Sequence, residues 1–169
     1  MTVNIIRENL KKKLLRLEKS INIDNDLPLS VIQYDHIDIE NCLNTLTRGW
    51  PTIGKEVQIV EKKIEKYLKV KNAIMLNSGG SANYLILYLL TSVYAKKKDK
   101  LSRGDEIITP AVTWSTTVGP IIQNGLVPKL VDVKLSTYEI DENLIEKALT
   151  KKTRALLVVN PLGHVCNMK

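Results

Sequence analysis

What this chain of 169 residues lacks narrows it before anything it contains. No apolar run approaches the roughly 18–20 residues a helix needs to cross a bilayer, so no membrane partner is expected. The two cysteines, Cys42 and Cys166, stand isolated. No disulfide framework follows from them, and a reducing cytosol is the expected setting. Residues 1–20 have neither the apolar centre nor the small-residue cleavage site of a secretory leader; they read as a lysine-rich amphipathic helix. Neither G-x-G-x-x-G nor G-x-x-x-x-G-K-[ST] occurs in register, which excludes the two commonest nucleotide-phosphate loops. A dinucleotide-binding domain is further disfavoured because no acidic residue ends the second strand.

The positive charge is also short of what a nucleic-acid binder needs. The net charge is +7. Its lysines fall in Lys11-Lys12-Lys13, Lys62-Lys63, Lys96-Lys97-Lys98 and Lys151-Lys152, spread along the chain without interleaved aromatics. Single-strand binders present stacking platforms among their basic residues. These clusters read instead as solvated faces, and no nucleic-acid partner is expected. His164 and Cys166 lie two apart with no second ligand pair, so no metal is expected, and His36 reads as surface or structural.

What is present is an alternation of helix and strand signals. Apolar content is 44% and charged content 25%, a globular balance. Helical spacing runs through residues 3–21 (Ile6, Leu10, Leu14, Leu17) and 55–68 (Val57, Val60, Ile64, Tyr67, Leu68). Residues 22–48 read as irregular, with turn chemistry at Asp24, Asn25, Asp26 and Pro28. Then follow a strand at 72–76, a helix at 81–95, a strand at 105–109 and a helix at 115–124. A strand at 129–133, a helix capped by Asp141 and a strand at 154–159 complete the pattern. Such alternation predicts an α/β fold with a mostly parallel sheet and flanking helices.

One stretch within it carries chemistry: Asn77-Ser78-Gly79-Gly80-Ser81-Ala82-Asn83, between the apolar runs 73–76 and 84–94. Two glycines permit positive φ and close approach of a ligand to the backbone. The next helix offers its free N–H groups and the positive end of its dipole, which together would make a phosphate cradle. The same residues also suit an ordinary β–α turn with Ser81 as N-cap. About one βαβ unit separates Ser78 from Trp114. The 78–81 turn, the 113–117 segment and the 160–164 loop should therefore share the carboxyl edge of the sheet, where ligands of open α/β sheets bind.

The pattern resembles the Ser-Gly-[Ser/Thr]-x-Ala turn of the DegT/StrS family, the pyridoxal-phosphate sugar aminotransferases and their 3-dehydratase relatives. The resemblance continues through Gly49-Trp50-Pro51-Thr52-Ile53-Gly54-Lys55, Thr109-Pro110-Ala111-Val112-Thr113-Trp114-Ser115-Thr116-Thr117 and Gly125-Leu126-Val127-Pro128. Val131-Asp132-Val133, Thr137-Tyr138 and Asn160-Pro161-Leu162-Gly163 extend it to the end, so that it covers about residues 47–169. It implies part of the large domain of the fold type I (aspartate aminotransferase) transferases. On this reading residues 1–46 are an N-terminal helix and irregular arm, and 47–169 are the N-terminal portion of the cofactor-binding domain.

The resemblance further implies that Gly79, Gly80 and Ser81 hold the phosphate of pyridoxal 5′-phosphate through their backbone amides and that Trp114 stacks on its ring. Trp50, Thr52 and Asn160 would lie near the sugar, although Trp50 equally suits an anchor for the entry segment and Asn160 a simple turn residue. Many members carry Ser or Thr where this chain has Gly80, a change that removes a hydroxyl donor. A nucleotide-diphosphate sugar, an amino donor such as glutamate and a homodimer are the implied partners, in polysaccharide or lipopolysaccharide biosynthesis. The turn and the 113–117 run look more like the 3-dehydratase branch. In the family the Schiff-base lysine (histidine in the dehydratases) and the carboxylate facing the pyridinium nitrogen lie C-terminal to the stretch matched here. None of the lysines present stands in that motif. The expectation is therefore an N-terminal fragment with no catalytic residue of its own, weak non-covalent cofactor binding and an exposed apolar edge that favours association. The alternative is a non-catalytic α/β binding module derived from the same fold.

Overall fold

The computed structural model describes residues 2–20, 34–50 and 52–168. The backbone falls into two compact units, Met1–Met75 and Leu76–Lys169.

The first unit is helical. Helix α1 spans Thr2–Ser20, α2 His36–Thr47 and α3 Lys55–Leu68. The sequence reading of 22–48 as irregular is overturned over the length of α2; residues 22–33, with their turn signals, lie outside the described residues. The missed signal is a capping box. Asp35 Oδ1 accepts from the N–H groups of Ile37 and Asp38 at 2.7 and 3.1 Å, and Asp38 Oδ2 accepts from Asp35 N–H at 2.9 Å. Helices α1 and α2 meet through Arg7, which pairs with Glu40 at 3.1 Å and donates to Asn44 Oδ1.

Helix α3 has the bounds that its periodicity predicts, yet its stripe is uncovered: Val60, Ile64, Tyr67 and Leu68 are all exposed. The segment 72–76 is a second correction, for it is not a strand. Its amide groups turn to side chains of α3 instead of a ladder. Ala73 N–H donates to Glu65 and Met75 N–H to Glu61. An apolar run becomes a strand only where another strand supplies the partner groups, and here none does.

The second unit is a three-layer α/β arrangement. Helix α4 (Gly79–Thr91) precedes strand β1 (Glu106–Pro110), helix α5 (Ser115–Gln123), strand β2 (Val127–Val131), helix α6 (Glu142–Ala148) and strand β3 (Thr153–Leu156). The strands form a parallel sheet in the order β2-β1-β3. Alternation along central β1 builds two cores. Ile107 packs with Leu87, Leu101, Ile121 and Leu126 on the α4/α5 face, and Ile108 with Val131, Ile140 and Cys166 on the α6 face. The chain moves from β1 outward to β2 and then returns past β1 to β3, so the order reverses between β1 and β3. That reversal is the switch point at which open α/β sheets place ligands.

Two local devices fix this frame. Helix α5 ends in a Schellman motif: Leu126 N–H donates to Ile121 C=O at 3.0 Å and Gly125 N–H to Ile122 C=O at 2.9 Å, with Gly125 at φ +74°. The turn hands the chain straight into β2. At the amino end of β1, Glu106 accepts from Thr150 Oγ1 at 2.7 Å and Thr153 Oγ1 at 3.2 Å, tying the strand to the start of β3.

These bonds stabilise the Glu106 carboxylate, the Thr150 hydroxyl most, and hold its pKa below the ordinary value. A depressed folded pKa gives stability that is present above the unfolded pKa and is lost as pH falls through the folded one. Urea unfolding of the native chain and of Glu106→Gln should therefore differ most near neutral pH, the native chain being the more stable. The gap should close on acidification through and below the ordinary carboxylate range; a pH-independent gap would remove Glu106 from this role.

Candidate functional site

The first turn of α4 is built by Ser78. As N-cap it accepts the Ser81 N–H through Oγ at 3.1 Å, and the same hydroxyl donates to Ser81 Oγ at 3.1 Å. The cap is thus Ser78 and not Ser81. The Ser81 amide is already used by the cap, so the free donors of this turn are the N–H groups of Gly79 and Gly80 and the Ser81 hydroxyl proton. Neither glycine has positive φ. The reason for glycine is space, and only at one position. A Cβ on Gly79 would meet nothing within 4 Å, whereas one on Gly80 would stand 3.1 Å from Thr116 Cγ2 and 3.3 Å from Thr116 Cβ.

Thr116 belongs to the first turn of α5, so the two helix N-termini touch at Gly80. Between them opens a groove of about 430 Å³ lined by Ser78, Ser81, Tyr84, Ser115, Thr116 and Gln123 among others. Its lining holds no Lys, Arg, Asp or Glu. Attraction for an anion there comes from helix ends and hydroxyls instead of from side-chain charge. Trp114 is the N-cap of α5, four residues past the end of β1 on the carboxyl edge of the sheet, and is 72% exposed. Its indole is a free flat face one residue ahead of Ser115, which lines the groove. Asn83 Nδ2 donates to Thr116 C=O at 3.1 Å, and Asn124 Nδ2 donates to Pro120 C=O at 2.8 Å and Tyr84 C=O at 3.4 Å. These amides stitch α4 to α5.

The remaining candidates are placed elsewhere. Asn160 follows β3 toward the same edge, and its Oδ1 accepts the Cys166 N–H at 3.0 Å, closing the loop around the 3₁₀ turn Pro161–Gly163. Cys166 is buried, with its Sγ 3.1 Å from the Val159 carbonyl. In the helical unit, Trp50 Nε1 donates to Ile53 C=O at 3.3 Å and the ring covers Gly54 at the N-cap of α3. Thr52 borders a separate cavity with Asn41, Cys42 and Arg48. No helix among the described residues is long and apolar enough to cross a membrane.

The family model of the DegT/DnrJ/EryC1/StrS aminotransferase family matches residues 33–169, most of the chain. The chain belongs to this family. Its relatives include the lipopolysaccharide biosynthesis protein RfbH of Salmonella typhimurium, 43% identical over 71% of this chain and 27% of that protein. They include also the GDP-4-keto-6-deoxy-D-mannose 3-dehydratase of Yersinia pseudotuberculosis, 36% identical over 82% of this chain and 35% of the relative. Among solved structures, E. coli GDP-4-keto-6-deoxy-D-mannose 3-dehydratase with bound hydrated PLP superposes with a TM-score of 0.73. It is 38% identical over 82% of this chain and 35% of that one. The chain thus spans about a third of the length of the relatives it matches, and its fold is a partial fold type I α/β domain.

For a DegT/DnrJ/EryC1/StrS chain, several of these residues were beyond sequence reasoning. Tyr84 and Gln123 carry no motif signal, and the 113–117 motif that contains Thr116 does not foretell its contact with Gly80, because what recruits all three is the packing of α4 on α5. Asn83 and Pro120 lie 37 positions apart in sequence and act on one carbonyl.

Proposed function

We propose that this chain supplies the phosphate-holding turn and the ring platform of a pyridoxal 5′-phosphate site in an enzyme that modifies nucleotide-linked keto-deoxy sugars. The observation that carries this reading is the contact of two helix N-termini at Gly80 and Thr116. The first turn of α4 carries two unengaged backbone N–H groups and a serine hydroxyl there, and an exposed indole, Trp114, caps the adjoining end of α5. The donors suit a phosphate dianion: N–H groups at a helix start with no competing carboxylate in the groove. The cofactor, when bound, supplies an electron sink for chemistry at carbon. Gly79, Gly80 and Ser81 would bind and orient its phosphate, and Trp114 would exclude water from one face of the ring.

The dehydratase branch is the reading favoured within the family. Relatives named as sugar 3-dehydratases are 36 to 40% identical, and those named as transaminases or aminotransferases 31 to 32%. A nucleotide-diphosphate sugar substrate, an amino donor such as glutamate and a dimer go with this proposal. So does a reducing, cytosolic setting, supported by the free thiols Cys42 and Cys166. Residues Trp50, Thr52 and Asn160 are proposed as sugar neighbours only.

The test is equilibrium dialysis of the full chain with deoxypyridoxine 5′-phosphate, which carries ring and phosphate but no aldehyde to react with lysines. Saturable binding is expected, together with quenching of tryptophan emission that Trp114→Ala abolishes. Pyridoxine without its phosphate should bind at least tenfold more weakly, the loss of one charge-assisted site of about 1.5–3 kcal/mol. Equal binding of the two would overturn the assignment of the cradle. Borohydride treatment with pyridoxal 5′-phosphate should leave no single lysine modified in stoichiometric yield.

A further inference from the structure

The groove rests on a bond that α5 cannot make for itself. In an α-helix the carbonyl of Thr116 would accept from the N–H of residue 120. Residue 120 is proline, inside α5 and buried, and has no N–H to give. The donor comes from the other helix: Asn83, half-buried on α4, places Nδ2 3.1 Å from the Thr116 carbonyl. Thr116 is also the residue whose side chain abuts Gly80, so one residue of α5 is held at two points by the first two turns of α4. We infer that Asn83 is a positioning residue: it supplies the hydrogen bond that Pro120 withholds from Thr116, and so fixes the spacing between the phosphate-holding turn and Trp114 at the head of α5.

The link is specific to that spacing. The phosphate donors assigned above, the Gly79 and Gly80 amides and the Ser81 hydroxyl, sit on α4, and the indole sits at the head of α5. A ligand that uses both feels the distance between the helices, whereas one that uses only the cradle does not. The pairing also gives the proline inside α5 a physical account: the carbonyl it orphans becomes the anchor point of a neighbouring helix. The inference rests on the reading of the groove as a site for a phosphorylated ring.

The experiment compares the full chain with Asn83→Leu, which keeps the volume and loses the donor, with Pro120→Ala, and with the double variant. Dialysis is run with deoxypyridoxine 5′-phosphate and, separately, with inorganic phosphate. Asn83→Leu should weaken the ring-bearing ligand about five- to tenfold, the effect of one lost hydrogen bond, and leave inorganic phosphate within about twofold. In the double variant, replacing the proline restores a backbone N–H at position 120 to the Thr116 carbonyl. Thermal stability should then recover toward that of Pro120→Ala while ring-ligand affinity stays low. Recovery of both, or parallel loss of phosphate and ring ligand in Asn83→Leu, would reduce Asn83 to a structural residue and overturn the inference.

If the unsubstituted chain binds neither probe, the functional reading fails by itself. The clamp is then judged without ligand, by amide hydrogen exchange across α5. Faster exchange in Asn83→Leu, with α5 slowed again in the double variant, supports the link between the helices; unchanged exchange in Asn83→Leu overturns it.

Discussion

Replacing Ile121 with alanine should unfold the sheet unit under conditions in which the native chain is folded. Ile121 is fully buried in α5 and packs with Leu87 of α4, Ile107 of β1, Leu101 and Leu126. Its removal takes away transfer energy and leaves a cavity between the sheet and both helices, typically about 2–5 kcal/mol for Ile to Ala. Against a total of about 5–15 kcal/mol for an ordinary domain, that is a large share. Here the share is larger still, because much apolar surface stays outside the core: Ile86, Leu89, Val93 and Tyr94 of α4 and its C-terminal side, and Val127, Leu130 and Leu156 of the strands, are all exposed. Urea unfolding followed by circular dichroism gives the reading. Ile122→Ala is the control, since this sequence neighbour is 59% exposed and its truncation should change stability by about 0.5 kcal/mol or less. Equal effects at the two positions would mean that α5 does not pack on the sheet through Ile121.

The second large effect is expected at Gly80. A valine there puts its Cβ close against Thr116 Cγ2 and Cβ, at 3.1 and 3.3 Å, and adds two methyl groups beyond. Overpacking of this kind costs typically about 1–3 kcal/mol and is relieved by moving the backbone. The relief available is separation of α4 from α5, which would strain the Asn83–Thr116 bond and widen the groove. Binding of deoxypyridoxine 5′-phosphate to Gly80→Val should fall by about tenfold or more, the equivalent of about 1.4 kcal/mol within that range. Gly80→Ala combined with Thr116→Gly, which removes both contacting carbons, should keep most of the affinity. Gly79→Ala meets open space at a helical φ and should be neutral or stabilising by up to about 1 kcal/mol. If the two glycines respond alike, the close approach of the helices is not what selects glycine at position 80.

Strands and helices whose own chemistry marks them were readable in the sequence. Helix α3 runs over Lys55–Leu68 as its spacing of Val57, Val60 and Ile64 requires, and β1, β2 and β3 begin within two residues of their apolar runs. Helix α4 begins at Gly79 instead of 81, because Ser78 is the cap and the glycines accept helical geometry. Helix α2 was hidden because its capping box is built of two aspartates, Asp35 and Asp38, instead of the Ser/Thr with Glu/Gln that marks a helix start in sequence. The run at 73–76 reads as a strand by composition, but pairing is a property of two segments, and Glu61 and Glu65 take its amides.

The candidate site divides along the same line. Small residues before a helix, an aromatic residue 36 positions later and the order of the motifs are local or sequential facts. They were enough to name the family, the α/β class and the turn at 78–81. Which atoms of that turn remain free, why Gly80 has no side chain, and that Asn83 answers for Pro120 depend on the distance between α4 and α5. That distance is set by Leu87, Ile107 and Ile121 packing on one face of β1. Local sequence sets the conformations each segment can adopt, because φ/ψ sterics and capping act over a few residues. The contact that makes two helix ends into one groove acts between residues more than thirty positions apart, and only the burial of a shared core brings them together.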